Sequence, residues 1–345
     1  MIPSEAEIMR DWGDSDVPLV SIKCLVYNHE NYVSQALDGF LIQKTNFPFE
    51  VIIHDDASTD DSAKIIKEYE EKYPHIIKPI YESENQYSKQ DGSLDQAIDP
   101  FLKGKYIALC EGDDYWIDEN KLQMQVDVMQ SNDRCTIVFC KVREVNKNGD
   151  RLKYTIPFKN DINEGIFTLE DYTYVQYKLG HWAFHTSTFF FLKELAIEYT
   201  KKSSSCFGMF PVGDMPLQLF MLLKGNGFYI DKEMSCYRVF SGGYNSMVLN
   251  RPDIKLEHCM KLVSAMNAFD SYTEYKFHEN IKSWVIGQKI EIGCLNHSLK
   301  EIFRKDNFKY LSSKGLPFIF KLVLRTKFYK QYKVLGDIKR KYLGK

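Results

Sequence analysis

Short apolar segments alternate with segments of helical periodicity over the first 130 residues, and this alternation constrains the fold more than any other feature. The runs 19–26, 49–53 and 105–109 are short and mostly apolar, which predicts buried strands. Between them, the runs 32–43 and 62–73 repeat apolar residues at helical spacing. Because strands that alternate with helices form parallel sheets, we expect an α/β fold with a mostly parallel, doubly wound sheet.

An acidic turn follows the apolar run 105–109, in the sequence C-E-G-D-D-Y-W from Cys110 to Trp116. It contains two adjacent carboxylates, Asp113 and Asp114. Proteins of the α/β class bind ligands outside the carboxyl ends of their strands, and carboxylate oxygens suit Mg²⁺ or Mn²⁺, which bridge to phosphates. An isolated Asp-Asp pair is more often a solvated turn, so the metal-site interpretation depends on partners elsewhere in the chain.

Polar residues also follow the first two strands. In the run V-Y-N-H-E, Tyr27 could stack on a base and Asn28 could bond a phosphate or a ribose. The run H-D-D-A-S-T-D-D, residues 54–61, carries Asp56 and Ser58. A helix cap explains the last carboxylates of this run, whereas Asp56 lies at the strand end, where it can accept from a uracil N–H or a ribose hydroxyl. No G-x-G-x-x-G run follows the first strand, which argues against a dehydrogenase.

Two later runs add a carboxylate and a cation. The run P-V-G-D-M-P-L, residues 211–217, places Asp214 two residues before Pro216. This pattern is typical of a helix N-cap as much as of a catalytic carboxylate, and both interpretations stay open. The run Y-R-V-F-S-G-G-Y, residues 237–244, contains Arg238, which could meet a phosphate, and a Gly-Gly pair that could let the loop close over a ligand.

In this order, the five runs resemble the inverting family-two glycosyltransferases, which have the nucleotide-diphospho-sugar transferase A fold. The chain is similar in particular to the bacterial enzymes that build capsule and lipopolysaccharide sugars. The resemblance extends over about residues 17–244, and the paired runs H-D-D-A-S-T-D-D and E-G-D-D-Y-W are its most specific part.

The resemblance implies a role for each site residue. Tyr27 and Asp56 would hold the uracil or another base, and Asp113 would contact the ribose and the metal. Asp114 would ligate the metal, which we expect to be Mg²⁺ or Mn²⁺, and Asp214 would be the catalytic base. We add three further nucleotide-sugar ligands: Asn28, Ser58 and Arg238. The sugar or acceptor pocket would include Tyr115, Trp116 and His185, although a histidine beside a core strand is more often structural.

Two departures from the family pattern refine the expected chemistry. Many relatives carry histidine where this chain has Phe240, and that histidine can touch the metal or the diphosphate. The Q-x-x-R-W run of the processive polymerases is missing, which favours a single addition. The resemblance implies transfer of a hexosyl or N-acetylhexosaminyl group from a UDP-linked donor, with inversion. The acceptor would be a hydroxyl of a glycan or lipid-linked molecule in surface polysaccharide synthesis.

Two other functions compete with this prediction. A sugar nucleotidyltransferase would need a glycine-rich phosphate loop with Arg or Lys near its N-terminus, and the chain has none. A non-catalytic module that binds a sugar nucleotide or a protein partner would not need the four carboxylates Asp56, Asp113, Asp114 and Asp214.

The alternation weakens after about residue 145, although the run 183–192 predicts one more buried strand. We expect a glycosyltransferase domain over 17–249, with a nucleotide-binding half over 17–135 and an acceptor half over 136–249. A helical, basic region over 250–345 would follow.

The net charge of −2 hides a basic tail, because residues 300–345 contain 14 Lys or Arg and 3 Asp or Glu. Cations interleaved with aromatic residues suggest a helix that lies on an anionic membrane, and a solvated helical face is an equal alternative. No motif supports nucleic acid as a partner.

We expect a cytoplasmic protein, peripheral at the inner face of the plasma membrane if the tail binds lipid. The chain has no secretory signal and no run of roughly 18 to 20 apolar residues that would span a bilayer. Its eight cysteines are scattered without a C-x-x-C pair, so a structural zinc site is not expected.

Overall fold

The computed structural model describes residues 2–13, 17–89, 92–158, 161–180, 183–202, 205–239, 247–248 and 250–328. Backbone contacts divide the chain into two compact units. The first unit consists of Met1–Gln176, His181–Lys202 and Asp214–Ser241, and the second of Tyr177–Gly180, Ser203–Gly213 and Gly242–Lys345. Phe240, the Gly242-Gly243 pair and residues 329–345 of the basic tail lie outside the described residues.

One sheet forms the centre of the first unit. Its strands are β1 (Val20–Val26), β2 (Phe49–Asp55), β3 (Ile77–Tyr81), β4 (Tyr106–Glu111), β5 (Tyr115–Trp116), β6 (Cys135–Val145), β7 (Arg151–Ile156), β8 (Gly165–Phe167), β9 (Phe190–Leu192) and β10 (Asn226–Arg238). Their order across the sheet is β3-β2-β1-β4-β9-β6-β10-β5, while β7 pairs with β6 and β8 pairs with β10.

Strands β1 to β4 are parallel, as the sequence predicts, and β6 and β10 are parallel as well. Strand β9 joins the two groups and runs antiparallel to both β4 and β6. The chain leaves β1 towards β2 on one side and reaches β4 on the other, so the strand order reverses at β1. Ligands of α/β proteins bind at such a reversal, outside the carboxyl ends of the strands.

Helices cover the sheet of the first unit and make up most of the second. The first unit contains α1 (Glu5–Met9), α2 (Val33–Leu41), α3 (Ser62–Lys72), α4 (Ser93–Ile98), α5 (Lys121–Ser131), α6 (Leu169–Thr173), α7 (Lys193–Thr200) and α8 (Asp214–Lys224). The second contains α9 (Pro252–Tyr272), α10 (His278–Leu295), α11 (Leu299–Ile302), α12 (Phe308–Lys314) and α13 (Leu316–Lys327). The α/β class with a helical C-terminal region is therefore confirmed.

The run 183–192 forms a shorter strand than its apolar character predicts. Only Phe190–Leu192 pairs with the sheet, and Thr186–Thr188 forms a single 3₁₀ turn. The side chain of His185 accepts the Ser187 N–H at the start of this turn. A local side-chain bond thus competes with strand pairing where hydrophobicity alone predicts a strand.

Helix α2 approaches the backbone that follows the acidic turn more closely than a side chain would allow. A Cβ atom at Gly39 would lie 2.7 Å from the Trp116 carbonyl oxygen and 2.8 Å from its nitrogen. The ring of the next helical residue, Phe40, meets the Trp116 ring edge-on at 4.8 Å between centroids. Both residues of β5 are buried, so the strand is held between α2 and β10 and fixes one end of the acidic turn.

The second unit has its own small apolar core. Its buried members come from α10 to α13: Ile290, Cys294, Ile302, Leu311 and Leu322. A bidentate ion pair joins Arg325 of α13 to Glu291 of α10, and Lys255 of α9 lies 2.7 Å from the same carboxylate. Over the described ranges, no helix is both long enough and apolar enough to cross a bilayer. All eight cysteines of the chain are buried thiols.

Candidate functional site

Three parallel strands end side by side, and the predicted site residues follow them. Val26 of β1 is paired with Asp55 of β2, and Leu25 is paired with Glu111 of β4. The loops after β1, β2 and β4 therefore meet at one edge of the sheet, as expected for a parallel sheet. The main chain bridges them as well, because the Asp56 N–H donates to the Val26 carbonyl at 2.9 Å.

The loops after β1 and β2 hold each other through two predicted nucleotide ligands. The Asn28 N–H donates to Ser58 Oγ at 2.9 Å, and the Thr59 N–H donates to Asn28 Oδ1 at 2.8 Å. Asn28 adopts a left-handed conformation with φ of 57°, which asparagine tolerates better than most residues. Beside them, Tyr27 is 47% exposed, so its ring is accessible for stacking.

The carboxylate of Asp56 is buried and bound to main-chain donors. Its Oδ1 accepts the Gln86 N–H at 2.6 Å, and its Oδ2 accepts the Tyr87 N–H at 3.0 Å. Asp56 thus fixes the segment that follows β3 against the end of β2. Each oxygen keeps a second lone pair with which it can accept a donor from a ligand.

Asp114 faces the interior of the first unit and is only 2% exposed. Its Oδ1 accepts the main-chain N–H of Arg238 at 2.8 Å, and its Oδ2 lies 3.6 Å from His185 Nδ1. Burial raises the pKa of Asp114 well above its usual range, and the nearby charges of Asp113 and Glu111 raise it further. Both oxygens thus face protein groups.

Glu111 has no predicted role from the sequence, yet it is the carboxylate of the acidic turn whose pKa responds to the charge of Asp214. It is the last residue of β4 and is half-buried. Burial raises the pKa of Glu111 to about 8, and the charges of Asp113 and Asp214 add to the increase. The available signal was a third carboxylate two residues before Asp113, at the point where β4 ends.

Glycine is required between Glu111 and Asp113 because the turn lies close to β1. A Cβ atom at Gly112 would be 2.7 Å from Val26 Cγ2 and 2.9 Å from His29 Nδ1. Burial lowers the pKa of His29, and the charge of Asp113 opposes that shift. The loop after β1 therefore approaches the acidic turn through His29.

Asp214 is the first residue of α8 and is half-buried. Its Oδ1 accepts the N–H of the neighbouring Met215 at 2.8 Å. An N-cap side chain would instead accept from the second or third helical residue. Over the described ranges, no hydrogen bond to its Oδ2 occurs. Burial raises the pKa of Asp214 above its usual range, and its charge reaches Glu111, which places it near the acidic turn.

Arg238 is buried, and its guanidinium contacts the protein itself. Its Nε donates to the Asp113 carbonyl at 2.9 Å, its Nη1 to the Lys147 carbonyl at 3.1 Å, and its Nη2 to Gln35 Oε1 at 2.7 Å. The phosphate contact expected from the sequence would have to compete with these three bonds.

The aromatic residues expected in the sugar pocket pack into the core. Trp116 donates from its ring nitrogen to the Ser187 carbonyl at 2.9 Å. Tyr115 is 8% exposed, and burial raises its pKa to about 12. His185 is 4% exposed with its Nδ1 2.9 Å from Ser187 Oγ, and burial lowers its pKa to about 3. For His185, this geometry fits the structural alternative.

The carboxylates near the end of β4 form a donor set that suits Mg²⁺ or Mn²⁺. Their repulsion, together with burial, raises the pKa of Glu111 to about 8, and a bound cation would relieve it. Over the described residues, no three His, Cys, Asp or Glu side chains are arranged to hold a metal ion. Mg²⁺ is usually bound by one or two carboxylates together with substrate phosphates. A site in which the protein supplies only one or two carboxylates therefore fits the ion.

A protein-family model described as "Glycosyl transferase family 2" matches residues 21–199. An uncharacterized protein of Mycobacterium tuberculosis is 43% identical over 132 residues, which are 38% of this chain and 37% of that protein. The Escherichia coli protein UDP-Glc:alpha-D-GlcNAc-diphosphoundecaprenol beta-1,3-glucosyltransferase WfgD is 27% identical over 146 residues, 42% of this chain and 54% of that protein. Both matches cover less than two thirds of the relative.

Among solved structures, Staphylococcus aureus TarS is similar to this chain with a TM-score of 0.54 and 16% identity. The match covers 91% of this chain and 52% of TarS. At this identity the likeness concerns the fold alone. It confirms the α/β fold of the nucleotide-diphospho-sugar transferase type that the sequence predicts.

We predict that Glu111→Gln stabilises the metal-free protein increasingly as the pH rises. Because the folded-state pKa of Glu111 is raised to about 8, the folded state binds more protons than the unfolded state between the usual carboxyl pKa and pH 8, and wild-type stability falls across that window. The variant should gain on the order of 3 kcal/mol in free energy of unfolding between about pH 5 and pH 8, since one pKa unit corresponds to about 1.4 kcal/mol and this window covers most of the shift.

Urea unfolding in EDTA at the two pH values measures this gain. Glu68→Gln, at an exposed position on α3, is the matched control and should show no such trend. If the free energy of unfolding depends on pH in the same way in the wild type and in Glu111→Gln, the pKa of Glu111 is not raised by burial and neighbouring carboxylates.

Proposed function

Because this chain belongs to glycosyl transferase family 2, we propose that it transfers a sugar from a nucleotide-diphospho-sugar to a hydroxyl group of an acceptor. The observation that carries this proposal is that Glu111 interacts electrostatically with both Asp113 and Asp214. The charges of Asp113, in the turn after β4, and of Asp214, at the start of α8, both raise its pKa. A metal-binding turn and a proton acceptor beside it are the two parts that such a transfer needs.

The donor we propose is UDP-linked, and the sugar is a hexose or an N-acetylhexosamine. The exposed Tyr27 ring stacks on the base, and Asp56 accepts from it with its remaining lone pairs. Asn28 and Ser58 shape the loops that enclose the nucleotide. The name of the Escherichia coli relative states a UDP-glucose donor and a diphosphoundecaprenol-linked acceptor, which supports a UDP-linked donor and a lipid-linked glycan acceptor for this chain.

We place the divalent ion on Asp113 and Glu111, both half-buried. Asp114, a metal ligand according to the family resemblance, instead orients the turn in this proposal, because its oxygens face the Arg238 N–H and His185. Bound Mg²⁺ or Mn²⁺ supplies Lewis-acid stabilisation of the charge that develops on the leaving diphosphate.

Asp214 is the general base of the proposed reaction. It takes the proton from the acceptor hydroxyl as that oxygen attacks the anomeric carbon. Burial raises the pKa of Asp214, which makes its carboxylate a stronger proton acceptor than an exposed aspartate. Its Oδ1 is oriented by the Met215 N–H, which leaves Oδ2 to meet the acceptor. One base opposite one leaving group gives a single in-line displacement, and so inversion at the anomeric carbon.

We predict that Asp214→Asn lowers kcat by about 10²–10⁴-fold, the usual contribution of a general base, while UDP binding is retained. Release of UDP from a panel of UDP-sugars, in the presence of Mn²⁺ and a lipid-linked acceptor, measures the transfer. Asp127→Asn, at an exposed position on α5, is the matched control and should keep full activity. Equal turnover in Asp214→Asn and wild type would remove Asp214 from the reaction, and a wild type that binds UDP but never turns over would be a binding module.

We also propose that a basic aromatic surface in the second unit binds anionic lipid at the inner face of the plasma membrane. This surface is formed by the exposed cations and apolar side chains of α12 and α13 and of the segment before them: Arg304, Lys305, Phe308, Lys309, Lys314, Leu316, Phe320, Lys321 and Lys327. Leu316 is 80% exposed and Phe320 is 65% exposed, and they lie four residues apart on one face of α13.

Charge complementarity favours an anionic membrane over a merely solvated helix. Residues 304–328 contain six exposed cations, all on this surface, and one exposed carboxylate, Asp306. Cationic helices with exposed aromatic and aliphatic side chains lie in the interface of anionic bilayers. A lipid-linked acceptor would then be available at the same membrane.

We predict that the full chain sediments with phosphatidylglycerol vesicles and not with phosphatidylcholine vesicles, and that salt weakens the binding. The double variant Lys321→Glu/Lys327→Glu should bind at least about tenfold more weakly, because each cation near an anionic surface contributes about 1 kcal/mol. Phe320→Ser should weaken binding without changing its salt dependence. Absence of binding to anionic vesicles, or equal binding to both lipids, would contradict the proposal.

A further inference from the structure

Arg238 is a buried cation whose hydrogen bonds fix the acidic turn. It is the last residue of β10 and is 2% exposed. Its main-chain N–H binds the carboxylate of Asp114 at 2.8 Å, and its Nε binds the main-chain carbonyl of Asp113 at 2.9 Å. One residue thus fixes both the backbone and a side chain of the same turn.

The same guanidinium ties this turn to two other segments. Its Nη1 donates to the carbonyl of Lys147 at 3.1 Å, in the loop between β6 and β7, and its Nη2 donates to Gln35 Oε1 at 2.7 Å, on α2. The rings of Tyr32 and Tyr115 lie 4.5 Å and 5.3 Å from its central carbon. Three nitrogens are bound and two rings flank the group, so its orientation is set by the protein.

The charge of Arg238 also acts on the carboxylate of Asp114 through space. Over the described residues, no carboxylate oxygen lies within ion-pair distance of its guanidinium, whose partners are the main-chain carbonyls of Asp113, Asn146 and Lys147 and the side-chain amide of Gln35. A buried cation with neutral partners is unusual, and its field extends to the acidic turn. The charge of Arg238 opposes the burial and repulsion that raise the pKa of Asp114.

We propose that Arg238 is a positioning residue: it fixes the acidic turn so that the carboxylates of Glu111 and Asp113 face a divalent cation, and it is not a ligand of the donor phosphates. The inference rests on the proposed sugar transfer, and it assigns to Arg238 a different role from the phosphate contact that the sequence suggested. Groups that hydrogen-bond to metal ligands and orient them affect metal affinity without touching the metal or the substrate.

Arginine and lysine differ at such a position, which makes the proposal testable without removing the charge. Lysine carries a single ammonium group and cannot reach the Asp113 carbonyl, the Lys147 carbonyl and Gln35 with a planar fork. In Arg238→Lys we expect the dissociation constant of Mn²⁺ in the presence of UDP to rise by about tenfold or more, the usual effect of removing such a partner.

The measurement is Mn²⁺ binding followed by the electron paramagnetic resonance of the free ion, together with UDP affinity and the thermal unfolding midpoint in EDTA. At saturating Mn²⁺, we expect UDP affinity in Arg238→Lys to return to the wild-type value. Arg143→Lys is the matched control, because the guanidinium of Arg143 pairs with Glu233 across β6 and β10 and, over the described residues, makes no hydrogen bond to Glu111, Asp113 or Asp114. It should leave Mn²⁺ binding unchanged.

Gln35 supplies an independent variant at an exposed position, in case Arg238→Lys does not fold. Gln35→Ala removes the acceptor of Nη2 and should weaken Mn²⁺ binding, whereas Gln35→Glu keeps an acceptor there and should restore it.

Two results would overturn the inference. A loss of UDP affinity in Arg238→Lys that saturating Mn²⁺ does not repair would indicate a direct phosphate contact. A lower unfolding midpoint with unchanged Mn²⁺ affinity would indicate a purely structural role. If the wild type binds neither UDP nor Mn²⁺, the proposed function itself fails, whereas a wild type that binds both and variants that match it would reject the role of Arg238 alone.

Discussion

Repulsion among carboxylates at the end of β4 is the constraint on which the rest of the site depends. Glu111 and Asp113 are half-buried, Asp114 is buried, and the charge of Asp214 reaches Glu111 from the start of α8. Burial and like charge together raise the pKa of Glu111 to about 8 and that of Asp114 well above its usual range. A fold tolerates such crowding when it serves a ligand, and a divalent cation with a diphosphate is the ligand that these groups suit.

The surrounding structure maintains this arrangement through close backbone contacts and a buried cation. Gly112 lets the turn lie against β1, and Gly39 lets α2 lie against the strand that follows the turn. From the opposite side, Arg238 binds the turn through its main chain and its guanidinium. These contacts fix the carboxylates before any ligand binds, and such preorganisation is what lets charged groups stabilise a developing charge effectively.

Much of the fold could be predicted from periodicity, and the family from five short runs. The alternation of apolar and helical segments predicted β1, β2 and β4 and their parallel pairing, because burial on both faces of a parallel sheet leaves a continuous apolar run. The family and the fold type are confirmed. The run 183–192 was predicted as a longer strand than it is, since hydrophobicity does not report the local hydrogen bond that His185 makes.

The hydrogen-bond partners of individual side chains could not be predicted from the sequence. From the sequence, Arg238 could meet a phosphate, but its guanidinium binds residues at positions 35, 113, 146 and 147. Only the folded chain brings those positions together. Glu111 was visible in the acidic run, but its electrostatic interaction with Asp214 depends on where the folded chain places the start of α8, a helix that packs against β6 and β10.

The most direct test of the crowded site is a carbon-13 NMR titration of the Glu111 carboxyl group in the metal-free protein, assigned by its loss in Glu111→Gln. We expect this carboxyl to titrate with a pKa of about 8 in the wild type and at a lower value in Asp214→Asn, because that substitution removes one of the charges that raise it. A Glu111 carboxyl that titrates near the usual value of 4.5, or at the same pH in both proteins, would show that the carboxylates do not share one site.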